Sequence, residues 1–456
     1  MSRLKIKTYA LAAFIVLFLT CINTTVFGDI QQKTNVNTQK QSERIFFSSI
    51  QFKIYQDKFL SVLIDEANGY LHEENKPILP VCSKTFSFPF GTKIKQVQVD
   101  VGDIYTVELD RKIRLAPKPI PISLVNNNLV KSRYIDKDLI IYSQMDPYPD
   151  VWFDYEVTCG LEGNERAIFL TIRFYPLRYV PGKDILYKSD WANLNIFYEE
   201  KNFSNNKIEN YDMVIIAPKD FTKVLRPLIN HKNDVGIKTI LKTTESIYLE
   251  SSLGIYDKNG RDNQEKIKYF IKYAIENWGI KYVMFVGGLK NQRVSWYNSN
   301  AHGMTSFTRN WHVPVRYTNN DDGWEEGYLS DLYYADIYNG DGSFSSWDSN
   351  GNGIFAEFNF DTKDEMDFVP DVIVGRLPCR NKNEVRIIVD KIIYYEDNTY
   401  GKSWFNNMVL CGGDTTPPAD WGSPGFYEGE IGTNQSGNYM KTAGFNIKRL
   451  WASNGN

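Results

Sequence analysis

The residues with the clearest chemistry lie in one short run, Asp348-Ser349-Asn350-Gly351-Asn352-Gly353. Oxygen-bearing side chains at positions 1, 3 and 5, followed by glycine at 6, are how a loop wraps a hard cation. Ile354 would add its carbonyl and Glu357 a carboxylate. Position 12 is Asn359 rather than Glu, so the loop is not an EF-hand. The spacing predicts a structural Ca2+ site made by Asp348, Asn350, Asn352, Ile354 and Glu357. The competing reading is a Gly/Asn turn with no metal.

Nucleophilic chemistry is harder to place. Cys379 follows Val374-Gly375-Arg376-Leu377-Pro378, and Cys411 follows an apolar run at 404–410. A reactive thiol needs a nearby base or cation to lower its pKa, and no histidine is placed by sequence near either one. Both read as small buried thiols. His302-Gly303 sits in a long loop with no apolar strand directly before it, so a solvated loop histidine is expected; His231 and His312 carry still less signal.

The elements that must position these residues fall into two textures. Apolar residues at 42% and charged residues at 23% are ordinary for a globular chain, and 456 residues suggest about three units. The first 28 residues read as a signal peptide: Arg3, Lys5 and Lys7, then an apolar run from Ala10 to Ile22, then Val26-Phe27-Gly28 before Asp29. Its loss takes the net charge from −3 to −6, which argues against nucleic acid as a partner. No later stretch is apolar enough to span a bilayer, so a secreted, extracellular or cell-surface protein is expected. Export permits a disulfide, and Cys82 and Cys159 are the pair to consider.

After a polar leader, residues 44–200 show short β-branched and aromatic runs separated by Gly and Pro turns, for example 95–101, 105–109, 152–157 and 167–175. These predict a β-rich, sandwich-like section. An Asn-rich linker follows at 201–210. Tyr211-Ala217 is then a continuous apolar run, as in a strand covered on both faces. Asp220 is expected to cap a helix ending near Gly236, with Pro227 either delaying or bending it. A strand is predicted at 236–244. Asp262, with Glu265 three residues on, begins the best helix; Ile267, Phe270, Ile271, Ala274, Ile275 and Trp278 form its apolar face, and Gly279 ends it. Strands at 281–287 and 371–376 follow, then a stripe of Val385, Ile388, Val389, Ile392 and Ile393. Strands alternating with helices predict a parallel sheet. One more β-α-β unit is expected at 404–410, 428–442 and 445–451. The segment 288–370 is too long for a mere connection; because ligands bind past the carboxyl ends of such strands, it is where a site is expected.

Five separated motifs resemble the gingipain-type cysteine peptidase family of the caspase-like clan. They are Tyr211–Ile216, Gly260–Val283, Ser330–Asp336, Pro370–Pro378 and Val389–Glu396, in that order. The resemblance implies two adjacent caspase-like α/β subdomains behind a β-rich pro-region. Boundaries follow: signal peptide 1–28, β-rich pro-region-like domain 29–205, first α/β subdomain 206–401, and the start of a second at 402–456. It also implies a secreted zymogen that hydrolyses peptide bonds of protein or peptide substrates through a Cys thiolate and a His, both expected beyond Asn456. Acids in the long loop (Asp331, Asp336, Asp341) can help shape a substrate pocket in that family; by themselves they also read as further cation ligands or a solvated acidic loop. The alternative is a non-catalytic, calcium-stabilised secreted binding or surface module descended from such a peptidase. A third reading pairs His302 with Cys379 or Cys411.

Overall fold

A computed structural model describes residues 38–55, 58–73, 75–116, 141–200, 210–256, 258–290, 311–320, 327–359, 362–413 and 428–454. The expected signal peptide, most of the linker, and His302-Gly303 lie outside the described residues. Among the described residues, no helix is long and apolar enough to cross a membrane.

The front section is built from antiparallel strands: β1 (Gln39–Phe46), β2 (Gln51–Tyr55), β3 (Phe59–Leu63), β4 (Gly69–Leu71), β5 (Leu79–Pro89), β6 (Lys93–Val101), β7 (Ile104–Glu108), β8 (Phe153–Glu162), β9 (Glu165–Phe174), β10 (Leu177–Val180), β11 (Ile185–Ser189) and β12 (Trp191–Glu199). The alternation read from the sequence becomes geometry here. In β9, Ile168, Leu170, Ile172 and Phe174 are buried while the residues between them are half-exposed. They share one core with Ala192, Leu194 and Ile196 of β12, so sheet β4-β5-β9-β8 and sheet β1-β12-β6 cover a common apolar layer. A second cluster under β3, β10 and β11 holds Val62, Leu177, Tyr179 and Leu186.

Cys82 and Cys159 do not pair; both thiols are free and buried. Cys82 lies opposite Phe174 and Cys159 opposite Ile168, on strands flanking β9. Six residues along a strand is about 20 Å, far beyond the Cα separation a disulfide spans.

The texture changes at β13 (Met213–Ala217), buried at every position. It is followed by α1 (Thr222–Asp234), β14 (Thr239–Thr243), α2 (Thr244–Ser252), α3 (Asn263–Trp278) and β15 (Tyr282–Val286). Short strands β16 (Arg316–Tyr317), β17 (Asn319–Asn320), β18 (Leu329–Ser330) and β19 (Glu357–Phe358) lie in the long connection. Then come β20 (Ile373–Leu377), α4 (Lys382–Asn398), β21 (Asn407–Gly412), α5 (Glu428–Thr442) and β22 (Asn446–Trp451). Strands β14-β13-β15-β20 form one parallel sheet. Strands β21 and β22 form a separate parallel pair.

Two local expectations are corrected. Asp220 does not cap α1: a 3-10 turn at Lys219–Phe221 leads in, and the residue before the helix is Phe221 with no side-chain cap. Pro227 therefore sits inside the helix, where its missing N–H costs one backbone bond. Helix α2, which follows β14 at once, was not expected. Its apolar periodicity is weak, and only its Thr243 N-cap, accepting from Ser246 N–H at 3.1 Å, marks it. For α3 the sequence reading and the structure agree in detail. Asp262 accepts the Glu265 N–H at 2.8 Å, Gly279 closes the helix at φ 72, and all six stripe residues are buried.

Candidate functional site

The carboxyl ends of β13, β14 and β15 open on a cavity of about 500 Å3. Strand order reverses there, since β14 lies on one side of β13 and β15 on the other. The N-terminus of α3 faces this crevice, and Tyr248, Lys266, Lys290 and His312 line it.

The long connection reaches this face through buried charge. Arg376 of β20 makes a two-pronged ion pair with Asp331 at 2.6 and 2.8 Å and donates to the carbonyls of Gly287, Val313 and Pro314. Arg316, only 5% exposed, makes a matching pair with Asp262 at 2.7 and 3.0 Å and donates to the Tyr333 hydroxyl. Because Asp262 also caps α3, this carboxylate fixes the helix and the loop together.

Each acid singled out from the sequence is engaged by its own surroundings. Asp331 is held by Arg376. Asp336 is fully buried and accepts Trp347 Nε1–H at 2.7 Å; burial raises its pKa against the pull of Lys268. Asp341 accepts the Ser343 N–H at 2.8 Å in a tight turn.

The glycine-rich loop 348–357 is closed by its own side chains. Asp348 Oδ2 accepts the Gly353 N–H at 3.0 Å and pairs with Arg261. Asn350 Oδ1 accepts from Asn352 N–H, and Asn352 Oδ1 from Ile354 N–H. Both Asn amides donate to Glu357 Oε2, at 3.1 and 2.6 Å. Gly351 and Gly353 take φ of 74 and 85, the left-handed region that lets the chain turn this tightly. Four of the five residues expected to hold a cation are thus linked to one another by hydrogen bonds. One buried oxygen, Asp348 Oδ1, has no partner. The donor chemistry of carboxylate, amide and carbonyl oxygens suits a hard cation. Among the described residues, no group of three His, Cys, Asp or Glu side chains converges on a metal-sized space.

Asp364 carries no signal in the sequence. It is 1% exposed, accepts from Ser349 N–H and Oγ–H through Oδ1, and accepts from Glu357 N–H through Oδ2. It ties the two ends of the loop from outside the motif, and no local spacing points to it.

The thiols are not arranged for attack. Cys379 is 7% exposed among Phe221, Leu225 and Val385, and burial pushes its pKa up. His312 is close in the fold, but its Nε2–H donates to the Arg380 carbonyl at 2.9 Å and its ring packs on Phe221. That nitrogen carries a proton and cannot serve as the base. His231 bonds to Glu396 at 2.8 Å, joining α1 to α4. Cys411 is exposed on β21. Among the described residues, no cysteine is hydrogen-bonded to a histidine.

A β-rich section, followed by a parallel α/β sheet with a crevice at its carboxyl edge and a parallel β-α-β unit, defines a mixed α/β protein. The chain belongs to peptidase family C25, whose family model matches residues 206–456. Gingipain R2 of Porphyromonas gingivalis (strain ATCC BAA-308 / W83) is 22% identical over 233 residues. That alignment takes in 50% of this chain but only 22% of the relative's length. Solved structures with partial overlap include the complex of Porphyromonas gingivalis RgpB pro- and mature domains, at 16% identity and TM-score 0.27, covering 36% of this chain and 83% of that one. A second is gingipain K of the same organism in a study of zymogenic latency, at 16% identity and TM-score 0.28, covering 36% and 88%. A third is dimeric latent PorU, also from that organism, at 10% identity and TM-score 0.28, covering 80% and 39%.

Proposed function

We propose that this chain is the precursor part of an exported cysteine endopeptidase. Residues 29–205 act as a pro-region, and residues 206–456 supply the first α/β subdomain and the opening of a second. Peptide bonds would be hydrolysed by a Cys thiolate with a His as proton carrier, both supplied by sequence beyond Asn456. The observation that carries this reading is the family match across residues 206–456. The state of Cys379 and His312 supports placing the dyad elsewhere, because the thiol is buried and the imidazole is committed to a backbone carbonyl.

The test compares two proteins on fluorogenic peptides: residues 1–456, and the product of the reading frame continued past codon 456. The shorter one should be inert. The longer one, once its pro-region has been cut away, should cleave, and should lose activity on thiol alkylation. Alkylation-sensitive cleavage by residues 1–456 that disappears in Cys379→Ala or Cys411→Ala would place the nucleophile inside this chain. A longer product with no such activity, or a frame that stops at 456, removes the peptidase reading.

The loop 348–357 is proposed as a Ca2+ site, with Asp348, Asn350, Asn352, the Ile354 carbonyl and Glu357 as donors. The unpartnered Asp348 Oδ1 supports it. Its role would be structural, fixing the long connection that borders the crevice.

A further inference from the structure

The β-rich section meets the α/β section along an edge strand. Strand β8 is the outer strand of its sheet, so alternate N–H groups point away from β9. Two of them are taken by the α/β section: Cys159 N–H by Asp367 Oδ2 at 2.9 Å, and Leu161 N–H by the Pro370 carbonyl at 3.2 Å. The fit is close enough to need glycine on both sides. A Cβ on Gly340 would lie 2.0 Å from the Val157 carbonyl oxygen, and one on Gly160 would lie 2.2 Å from Val369 Cγ1. Arg166 of β9 crosses the same seam and donates to the Ile280 carbonyl at 3.0 Å.

Charge at this seam does not balance. Three carboxylates gather there: Asp336 and Asp371, both fully buried, and the half-buried Asp367. The cations facing them are Lys268, fully buried, and the half-buried Arg166. The other facing groups are neutral or peripheral. The Cys159 thiol and the Ile337 and Tyr338 N–H groups point at Asp371, with both N–H bonds on its Oδ2. Val369 N–H joins Cys159 N–H on Asp367. Trp347 Nε1–H is on Asp336, and the Tyr338 hydroxyl turns to Glu276 at 3.1 Å. Glu165 lies beside Arg166. With every group ionised, three acids face two bases, and desolvation of the surplus charge is costly.

We propose that this seam is a proton-dependent latch: a proton shared among Asp336, Asp367 and Asp371 holds β8 on the segment 367–371, and its loss loosens the β-rich section from the α/β section. Burial, reinforced by the neighbouring carboxylates, raises Asp367 to about 7 and Asp371 to about 6. Both are raised above the ordinary carboxylate value, so the proton favours the closed seam. Closure is fully supported below about pH 4, is lost as pH climbs toward 7, and changes little above that. Burial lowers Lys268 to about 7, so it loses its charge in the upper part of the same range, but it stays in the α/β section in either state. Its neighbours Tyr333, Phe344 and Trp347 and its acceptor, the Ser345 carbonyl, all belong to the α/β section. The latch stands on the seam itself and does not require that the protein cleave peptides.

Cys159 is fully buried at the seam, whereas Cys82 is buried in the β-rich core six positions away along β9. The full chain is labelled with a small aromatic disulfide from pH 5 to 8, and each cysteine is read by mass spectrometry. The rate at Cys159 relative to Cys82 should rise by about tenfold or more between pH 5 and 7 and then level off. In Asp367→Asn the rise should be largely gone. If that variant does not fold, Asp371→Asn carries the same test, because its amide oxygen still accepts the Ile337 and Tyr338 N–H groups. Gly340→Val should expose Cys159 at every pH. A ratio flat with pH, or an equal rise in the Asn variant, overturns the proposal. So does a Cys159 that stays protected in the wedged Gly340→Val protein.

Discussion

The chain builds a parallel α/β sheet twice in its second half, and the two copies end in different states. In the first, β13 is buried at all five positions, and α3 buries its whole apolar face against β13 and β15. In the second, among the described residues, β21 and β22 pair only with each other; Val409 is 53% exposed and Leu450 39%. Local propensity differs too, since α5 carries Gly429, Gly432 and Gly437 where α3 has no glycine. The strands differ in how many neighbours each has. The same contrast runs through α4. Its inner residues Val385 and Val389 are buried against α1 and the sheet, while Ile387, Tyr394 and Tyr395 on its other side are more than half exposed.

The largest difference between the copies is expected when one apolar side chain is truncated in each. Ile216→Ala removes a fully buried side chain from β13 and should destabilise by about 2–5 kcal/mol. Val409→Ala on β21 should cost about 0.5 kcal/mol or less. Urea melts of the two variants give the ratio. Equal losses would mean that β21 is covered as well as β13 is.

A second expected effect concerns how the long connection is pinned. Arg376→Leu leaves Asp331 without its partner and takes a donor from the Gly287 and Val313 carbonyls, while the Pro314 carbonyl keeps the Tyr334 hydroxyl at 2.8 Å. The expected loss is about 3 kcal/mol, as for one half of a largely buried pair. Arg376→Lys should recover only part of it, because an ammonium cannot span the two carboxylate oxygens and the carbonyls together. Full recovery by Lys would show that charge alone matters there.

The calcium proposal sharpens the contrast further, because the loop lies in the better-packed copy. At one hundredfold over the dissociation constant, Ca2+ should stabilise the fold by about 2.7 kcal/mol. Asp348→Ala should remove the calcium-dependent part of the melting shift. Identical melts in chelator and in excess Ca2+ would sink the site.

What could be read in advance follows the same division. Strands and helices whose burial comes from their own periodicity were legible: β9, β13, α3 and the inner stripe of α4 fall where the apolar spacing puts them. Features that depend on distant partners were not. Asp364 lies outside the glycine-rich motif it ties together. Asp367 looks like an ordinary loop acid, and Asp371 like the start of a strand, until β8 arrives from two hundred residues earlier in the chain. Asp220 looked like a cap because an acid preceded a helical pattern, but the 3-10 turn moved the helix start past it. The free state of Cys82 and Cys159 was illegible for another reason: it depends on register along β9, which spacing alone does not fix.

The smallest predicted effect tests whether α4 owes anything to its own sequence. Asn381 accepts the N–H groups of Asn383 and Glu384, both at 3.0 Å, and so satisfies two donors at the helix start. Asn381→Ala should cost about 1 kcal/mol, and Asn381→Gly only a few tenths. A helix packed on one side has fewer tertiary contacts to compensate for fraying, so hydrogen exchange in the Ala variant should quicken over residues 382–385 first. If it quickens along the whole helix instead, then α4 is held chiefly at its start, and its contacts with α1 contribute less than the buried Val385 and Val389 suggest.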